Sequence, residues 1–371
     1  MTDVELVRGR GAVSRLPELV DAWAPQRILA VGGRTALARA DAAGRLAARQ
    51  VTWFSDFTPN PRLPEVLRGC ALADAVRPDL ILGIGGGSAM DVAKMVRGLP
   101  AEPAAAHEVL AGRRPPLSRA PLVLVPTTAG SGSEVTGFAT VYVDGVKHSL
   151  DHPSTHAELS IVDSALTGSC PDDVTYAGAL DALAHAVEST WSLRSTTPSR
   201  ALAGAAMSAL VAVLGRTPAP SLSASDREAL STAATTAGLA IDRTRTTAGH
   251  AFAYPLTARF GVRHGVACAL SLVWLLPLTA ERLGRDCQDP RGERFVRRRL
   301  DEIETTLAGA GGMAGVLART GVSPWLADHG VTEAHLPGLV DAALGSGRAT
   351  NGPVRLEPKV ALHTLRARLR R

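Results

Sequence analysis

Over the first 165 positions, apolar residues come in short unbroken runs, each closed by a turn. Arg27–Val31 (RILAV) ends in Gly32-Gly33, Asp79–Ile84 (DLILGI) runs into glycines, and Pro121–Val125 (PLVLV) ends in Pro126-Thr127-Thr128. Strands covered on both faces show this continuous rather than alternating apolarity, so the runs predict buried parallel strands. Helical spacing lies between them, as βαβ units require. Ala139–Leu150 (ATVYVDGVKHSL) centres on Asp144-Gly145, a hairpin turn signal. Ser160–Asp163 (SIVD) is the last strand-like run. From about residue 166 the chain is Ala/Leu-rich and helical in period, as in SRALAGAAMSALVAVLG and DREALSTAATTAGLAI. The pattern therefore predicts an α/β domain with a parallel sheet over residues 1–165. An all-α domain follows over 166–371, with a change of architecture and no flexible tether between them.

Composition adds little to this division but excludes several classes. The 371 residues are 46% hydrophobic and 20% charged, enough to bury large cores. A net charge of +5 is spread along the chain. The one dense basic run, Arg297-Arg298-Arg299, is followed by Asp301, Glu302 and Glu304, and a second cluster ends at Arg370-Arg371. Acids beside bases read as a solvated helix face, and no zinc-finger or aromatic–basic pattern argues for nucleic acid. Cys70, Cys170, Cys268 and Cys287 show no CxxC spacing, which predicts free thiols and a cytoplasmic protein. The most apolar run, VACALSLVWLLPLTA at 266–280, is short for a bilayer and holds Pro277, so it predicts a buried helix and no membrane association.

Two loops carry candidate phosphate chemistry. ILGIGGGSAMDVAKMV (81–96) reads as strand, glycine turn and helix; glycines admit a ligand close to the backbone, and a helix start offers unpaired N–H groups. Gly85, Gly86, Gly87 and Ser88 form the turn. Met90, Ala93 and Val96 face the sheet, which leaves Asp91 and Lys94 beside the ligand. Ser88 stands where a third glycine of the dinucleotide fingerprint would be, so a plain tight turn is the alternative. PTTAGSGSEVTG (126–137) is a second loop after a second strand, with Thr127, Thr128, Ser131 and Ser133 as donors. Loops at successive strand ends form the crevice where open α/β sheets bind ligands.

In the helical half, Asp181 and His185 are four residues apart in GALDALAHAVES and share one face. An ion pair within the helix is the bland reading. AGHAFAYPLTARFGVRHG (248–265) adds His250 and His264 in apolar surroundings, where unpaired imidazoles are costly. One oxygen and three nitrogens suit a divalent first-row metal with an open position. No thiolate stands near these residues in sequence, which argues against Cys-ligated zinc.

GIGGGSAMD, PTTAGSGSEVT, DALAHAVES and HAFAYP…HG, in this order, resemble the iron-containing alcohol dehydrogenases, a fold shared with dehydroquinate synthase. The resemblance runs from about residue 10 to beyond Asn351-Gly352-Pro353. It implies a nicotinamide-binding α/β domain, a helical metal-binding catalytic domain, and a homodimer. It places Fe2+ (alternatively Zn2+ or Mn2+) on Asp181, His185, His250 and His264. The metal is expected to polarise the carbonyl of a small aldehyde while NADPH or NADH delivers hydride. Gly85, Gly86, Gly87, Ser88 and Asp91 match the pyrophosphate loop. Thr127, Thr128 and Ser131 belong to the second loop, and Lys147 matches a lysine at the cofactor–substrate junction.

Two departures shape the expectation. Many members carry a proton-relaying histidine where this chain has Tyr254; an ordinary phenol, with a pKa near 10, is a poorer relay at neutral pH, and a packing role is the alternative. NAD-specific members often carry an acid after the first strand, whereas VGGR here gives Gly33 then Arg34, which favours a 2′-phosphate. RTRTTAGHAFAYPLTARFG, KHSLDHPS and AVESTWSLRSTTPSRALA resemble the branch that reduces phosphonoacetaldehyde to 2-hydroxyethylphosphonate in phosphonate biosynthesis. Arg245 is then the candidate for the phosphonate, with Arg194 a further one and Arg243, Arg263 and Lys147 weaker. A general short-chain alcohol dehydrogenase and a maleylacetate reductase-like enzyme are the alternatives, although the latter generally has Asn where Asp181 stands.

Overall fold

Six parallel strands build the first unit's sheet, in the order β1-β8-β5-β4-β2-β3. They are β1 (Glu5–Arg8), β2 (Arg27–Val31), β3 (Gln50–Phe54), β4 (Leu80–Gly85), β5 (Leu122–Pro126) and β8 (Leu159–Val162), while β6 (Phe138–Val143) and β7 (Val146–Asp151) form a separate hairpin. The computed structural model describes residues 4–216 and 221–369, so Arg370 and Arg371 of the second basic cluster lie outside the described residues. The chain divides into two compact units, Met1–Cys170 and Pro171–Arg371.

The central strands are apolar on both faces because both faces are covered. Leu29, Val31, Ile81, Leu122 and Leu124 enter one core; Ile28, Ala30, Leu80, Leu82, Val123 and Val125 enter the other. The helices of this unit are α1 (Leu16–Val20), α2 (Arg34–Arg39), α3 (Ala42–Arg45), α4 (Leu63–Val76), α5 (Gly87–Gly98) and α6 (Pro103–Leu110). Two strands escaped the sequence pattern. β1 and β3 lie at the two edges of the sheet, where residues are half-exposed and the apolar run is broken. The hairpin turns at Asp144 (φ 49°) and Gly145 (φ 79°), the left-handed pair that a tight two-residue connection needs.

Among the described residues the second unit's regular elements are helices, α7 (Asp172–Trp191), α8 (Thr197–Leu214), α9 (Ala224–Thr244), α10 (Ala248–Phe260), α11 (His264–Asp286), α12 (Glu293–Ala308), α13 (Gly312–Arg319), α14 (Leu336–Gly345) and α15 (Pro358–Arg366), with short 3-10 turns and one isolated bridge between Cys287 and Val354. α7 is the axle. Every residue from Ala179 to Trp191 is buried, and α8, α9 and α11 pack around it. Its alanines allow that close approach. The apolar run at 266–280 lies inside α11, which is longer than the run because polar turns continue it at both ends. α11 and α8 are long and apolar enough to cross a membrane by composition; the most apolar window of α11 is 78% buried within the protein and that of α8 39%. Arg297 and Arg299 of α12 pair with Glu293 and Glu302, and Val296, Leu300, Ile303 and Leu307 form its buried face.

Candidate metal centre and nucleotide loops

In the first unit, β4 delivers Gly85, Gly86 and Gly87 into the first turn of α5. The two loops touch through the missing side chains: a Cβ on Gly87 would stand 2.8 Å from Ser131 Oγ, and one on Gly86 would stand 3.2 Å from Thr128 Oγ1. Any larger residue would push the loops apart. Thr127 N–H donates to Gly85 O at 2.8 Å and fixes their relation further. Together they present the start of a twelve-residue helix, a suitable cradle for a pyrophosphate.

Asp91 and Lys94 do not lie open beside that cradle. Asp91 accepts from Ser133 Oγ (2.8 Å), Thr140 Oγ1 (2.7 Å) and Thr140 N–H (3.0 Å). Lys94 is fully buried, and its ammonium donates to Thr136 O, Phe138 O and Ser133 Oγ at 2.7–3.1 Å. The period placing Met90, Ala93 and Val96 against the sheet is right. The opposite face of α5, however, is covered by the second loop and the β6–β7 hairpin, so these charges hold the loop in place. Ser88 Oγ accepts from Asn60 N–H at 3.3 Å. Gly33 and Arg34 are exposed at the start of α2. Arg34 lines a cleft of about 1090 Å³ whose wall also carries Asp41, Trp53 and Asp56. Lys147 is half-buried on β7, opposite Tyr142.

In the second unit, three helices bring four side chains together. Asp181 and His185 are one turn apart on α7, His250 sits in the first turn of α10, and His264 opens α11. Gly265 is the reason α11 can begin there: a Cβ would stand 1.9 Å from Ala177 O and 2.7 Å from Asp181 N. Asp181 Oδ1 lies 3.4 Å from His250 Nε2 and 3.9 Å from the Nε2 atoms of both His185 and His264. Bonds of about 2.1 Å to a tetrahedral ion put ligand atoms about 3.4 Å apart, close to these three distances from Asp181, and one ligand atom each of Asp181, His250, His264 and Cys268 lie within 4.8 Å of one another. His185 and His250 stack at 4.7 Å, and the His264 ring meets His250 edge-on at 5.4 Å. Asp181, His185 and His250 are buried, whereas the His264 side chain is 30% exposed, so the cluster opens on that side.

Two residues that the sequence pattern did not single out belong to this cluster. Glu188 is fully buried, three residues beyond His185, and its Oε2 accepts a hydrogen bond from His250 Nδ1. Its Oε1 accepts from Thr247 Oγ1 (2.6 Å) and His250 N–H (3.2 Å), and Trp191 Nε1 holds Thr247 in turn at 3.1 Å. His250 Nε2, by contrast, is buried and makes no hydrogen bond among the described residues. A ring held at Nδ1 by a carboxylate, with a buried Nε2 that has no hydrogen-bond partner, is the arrangement of a histidine that ligates a metal. The second residue is Cys268, one turn after His264. Its sulfur lies 3.8 Å from Asp181 Oδ1 and 3.9 Å from His264 Nε2. The expectation of no thiol near the cluster is thus corrected; the i+4 spacing HGVAC was the signal. Burial pushes this thiol up to about 11, which keeps it protonated at neutral pH. All four cysteines are free thiols.

Burial would raise the Asp181 and Glu188 carboxyls, but the facing imidazoles outweigh it and hold both below the usual carboxylate range. Burial would lower His250, yet the Glu188 and Asp181 carboxylates raise it well above an ordinary histidine. A divalent cation enters such a balance by displacing a proton.

Tyr254 stacks on His264, with rings 5.6 Å apart and nearly parallel at 5°. Arg245 caps α9 with φ 58°, and Asp242 lies 3.5 Å from its guanidinium. Arg194 and Arg243 are exposed, and Arg263 is exposed and pairs with Asp173.

Residues 4–164 match the iron-containing alcohol dehydrogenase family, and residues 175–368 match that family's C-terminal domain. The chain belongs to the iron-containing alcohol dehydrogenase family. It is 36% identical to a phosphonoacetaldehyde reductase of Streptomyces viridochromogenes, over 63% of this chain and 62% of that protein, so the aligned region spans less than two thirds of that relative. It is 30% identical to long-chain-alcohol dehydrogenase 1 of Geobacillus thermodenitrificans over 80% of this chain and 76% of that one. Among solved structures, sulfoacetaldehyde reductase from Bifidobacterium kashiwanohense in complex with NAD+ superposes with a TM-score of 0.85 at 26% identity, covering 99% and 97% of the two chains. The expected fold, a parallel α/β unit followed by a helical one, is that of these relatives.

Proposed function

We propose that the protein is a metal-dependent aldehyde reductase that uses NADPH or NADH, with phosphonoacetaldehyde as substrate and 2-hydroxyethylphosphonate as product. The observation that carries the reading is the largely buried Asp181–His185–His250–His264 cluster, with the unpartnered Nε2 of His250 3.4 Å from Asp181 and Glu188 behind it. These four residues would hold Fe2+, or Zn2+ or Mn2+ in its place. When bound, the ion supplies a Lewis acid for the carbonyl oxygen. The glycine and Thr127-Thr128 loops bind the dinucleotide, and Lys147 is assigned to its nicotinamide side. Tyr254, stacked on the partly exposed His264, is the candidate donor of the proton that the product alcohol needs.

The substrate reading rests on two relatives. One is named for phosphonoacetaldehyde and one for sulfoacetaldehyde, both two-carbon aldehydes bearing a tetrahedral oxyanion. Arg245, partly buried beside the cluster's own loop, is the proposed anchor for the phosphonate, with Arg194 the weaker candidate because it is exposed. Arg34 favours NADPH, although Asp41 and Asp56 share its cleft. The enzyme is read as cytoplasmic and homodimeric, with no nucleic-acid or membrane partner.

The test is anaerobic purification, metal analysis, and NADPH and NADH oxidation with phosphonoacetaldehyde and propanal. Metal near one equivalent and a preference for phosphonoacetaldehyde are expected. Equal activity on propanal would support a general short-chain alcohol dehydrogenase instead. Full activity in Asp181→Ala and His264→Ala would overturn the metal reading.

A further inference from the structure

Arg348 appears in none of the motifs above, yet the fold returns it to the candidate site from about a hundred residues away. It opens a 3-10 turn, Arg348–Asn351, that packs on α10. Its Nη1 donates to Thr246 Oγ1 at 2.9 Å, and its guanidinium carbon lies 5.4 Å from the centre of the Tyr254 ring. That ring is the one stacked 5.6 Å from His264. The guanidinium is therefore within about 11 Å of the His264 imidazole.

The same turn braces Arg245. The side-chain amide of Asn351 donates to Thr244 O (2.9 Å), Thr246 O (3.1 Å) and Arg245 O (3.4 Å), while its oxygen accepts from Ser192 Oγ (3.1 Å). Between those carbonyls Arg245 adopts φ 58° and ψ 166°, a left-handed extended conformation that glycine favours and other side chains rarely take. Such strain persists only where the surroundings hold it in place. Here the brace and the second arginine come from one four-residue turn.

We propose that Arg348 is a specificity-determining residue that receives the anionic group of the substrate, acting with Arg245 as a two-guanidinium clamp set by Asn351. This rests on the reading of the substrate as a short anionic aldehyde. Distance supports it. In a two-carbon phosphonate aldehyde the carbonyl oxygen and a guanidinium carbon on the phosphonate are about 7 Å apart, and the Arg348 guanidinium lies no more than about 11 Å from the centre of the His264 ring. Chemistry supports it as well, since a guanidinium offers paired donors to a phosphonate dianion and gains nothing from an alkyl chain.

The holoenzyme is assayed as wild type, Arg348→Gln, Arg348→Met and Arg348→Lys, with kcat/KM compared between phosphonoacetaldehyde and propanal. Either uncharged variant is expected to lower the ratio at least tenfold, mainly through KM, with partial rescue by lysine. Competitive inhibition by 2-hydroxyethylphosphonate weakens in parallel. Methionine keeps a long side chain on Tyr254, so a folding defect in one variant does not remove the test. A ratio unchanged in a folded uncharged variant overturns the role of Arg348 alone. A wild type with no preference for phosphonoacetaldehyde overturns the substrate reading, and the clamp with it.

Discussion

Glu188 accepts the Nδ1–H of His250 and so leaves Nε2 as the ring nitrogen available to the cluster. One carboxylate therefore decides tautomer, ring orientation and basicity together. Glu188→Gln keeps the shape but removes the charge. Metal affinity is expected to fall about 10- to 100-fold, read by titration of the apo-protein with Fe2+ or Zn2+. Unchanged affinity would make Glu188 a packing residue.

Because the four proposed ligands come from three helices, a bound ion ties α7, α10 and α11 together. Chelation is expected to lower the thermal midpoint and re-addition of metal to restore it. At a free ion concentration a hundred times Kd the linkage is about 2.7 kcal/mol. Asp181→Asn should show little response to chelator, and a midpoint that moves as in wild type would count against the site.

Asn351 satisfies three carbonyls of the loop that carries Arg245. Asn351→Ala leaves those of buried Thr244 and Thr246 without this donor, at a cost of about 1–3 kcal/mol in denaturant unfolding. The strain at Arg245 predicts the partner result: Arg245→Gly loses the charge yet relaxes the backbone. Asn351→Ala should therefore destabilise more than Arg245→Gly does.

Acid sensitivity has a distinct source in the first unit. Burial would raise Glu65, but the Arg62 backbone N–H (2.9 Å), the Arg62 guanidinium and Thr58 outweigh it and lower it to about 2. A folded value below the unfolded one means the carboxylate contributes stability above about pH 4.5, lost as pH falls toward 2. Wild type should thus lose more unfolding free energy between pH 6 and pH 3 than Glu65→Gln, by on the order of 2 kcal/mol. Parallel pH profiles would remove Glu65 from the account.

For the nucleotide, Arg34→Ala is expected to raise KM for NADPH several-fold more than for NADH, since only the former carries the 2′-phosphate. Equal changes would make Arg34 a surface residue.

Much of this was legible in the chain because it depends on local period. Continuous apolar runs marked β2, β4, β5 and β8, since strands covered on both faces need no polar side. A four-residue spacing put Asp181 and His185 on one face of α7, and the glycine run marked where a backbone must come close. What the sequence left open was decided by contacts between distant elements. The edge strands β1 and β3 carry a broken pattern because water takes one side of them. Asp91 and Lys94 were placed on the correct face of α5, but only the hairpin packed over that face shows that they brace a loop. Glu188 and Cys268 stood inside quoted motifs, three and four residues from candidate ligands, and became meaningful once α7, α10 and α11 met. Arg348 had no local signal at all, and Asn351 entered only as a point that the resemblance reaches: a guanidinium and an amide about a hundred residues from Arg245 acquire a role only when packing sets them against its loop. Periodicity is a property of neighbours along the chain, whereas the convergence of a site is a property of how the helices pack.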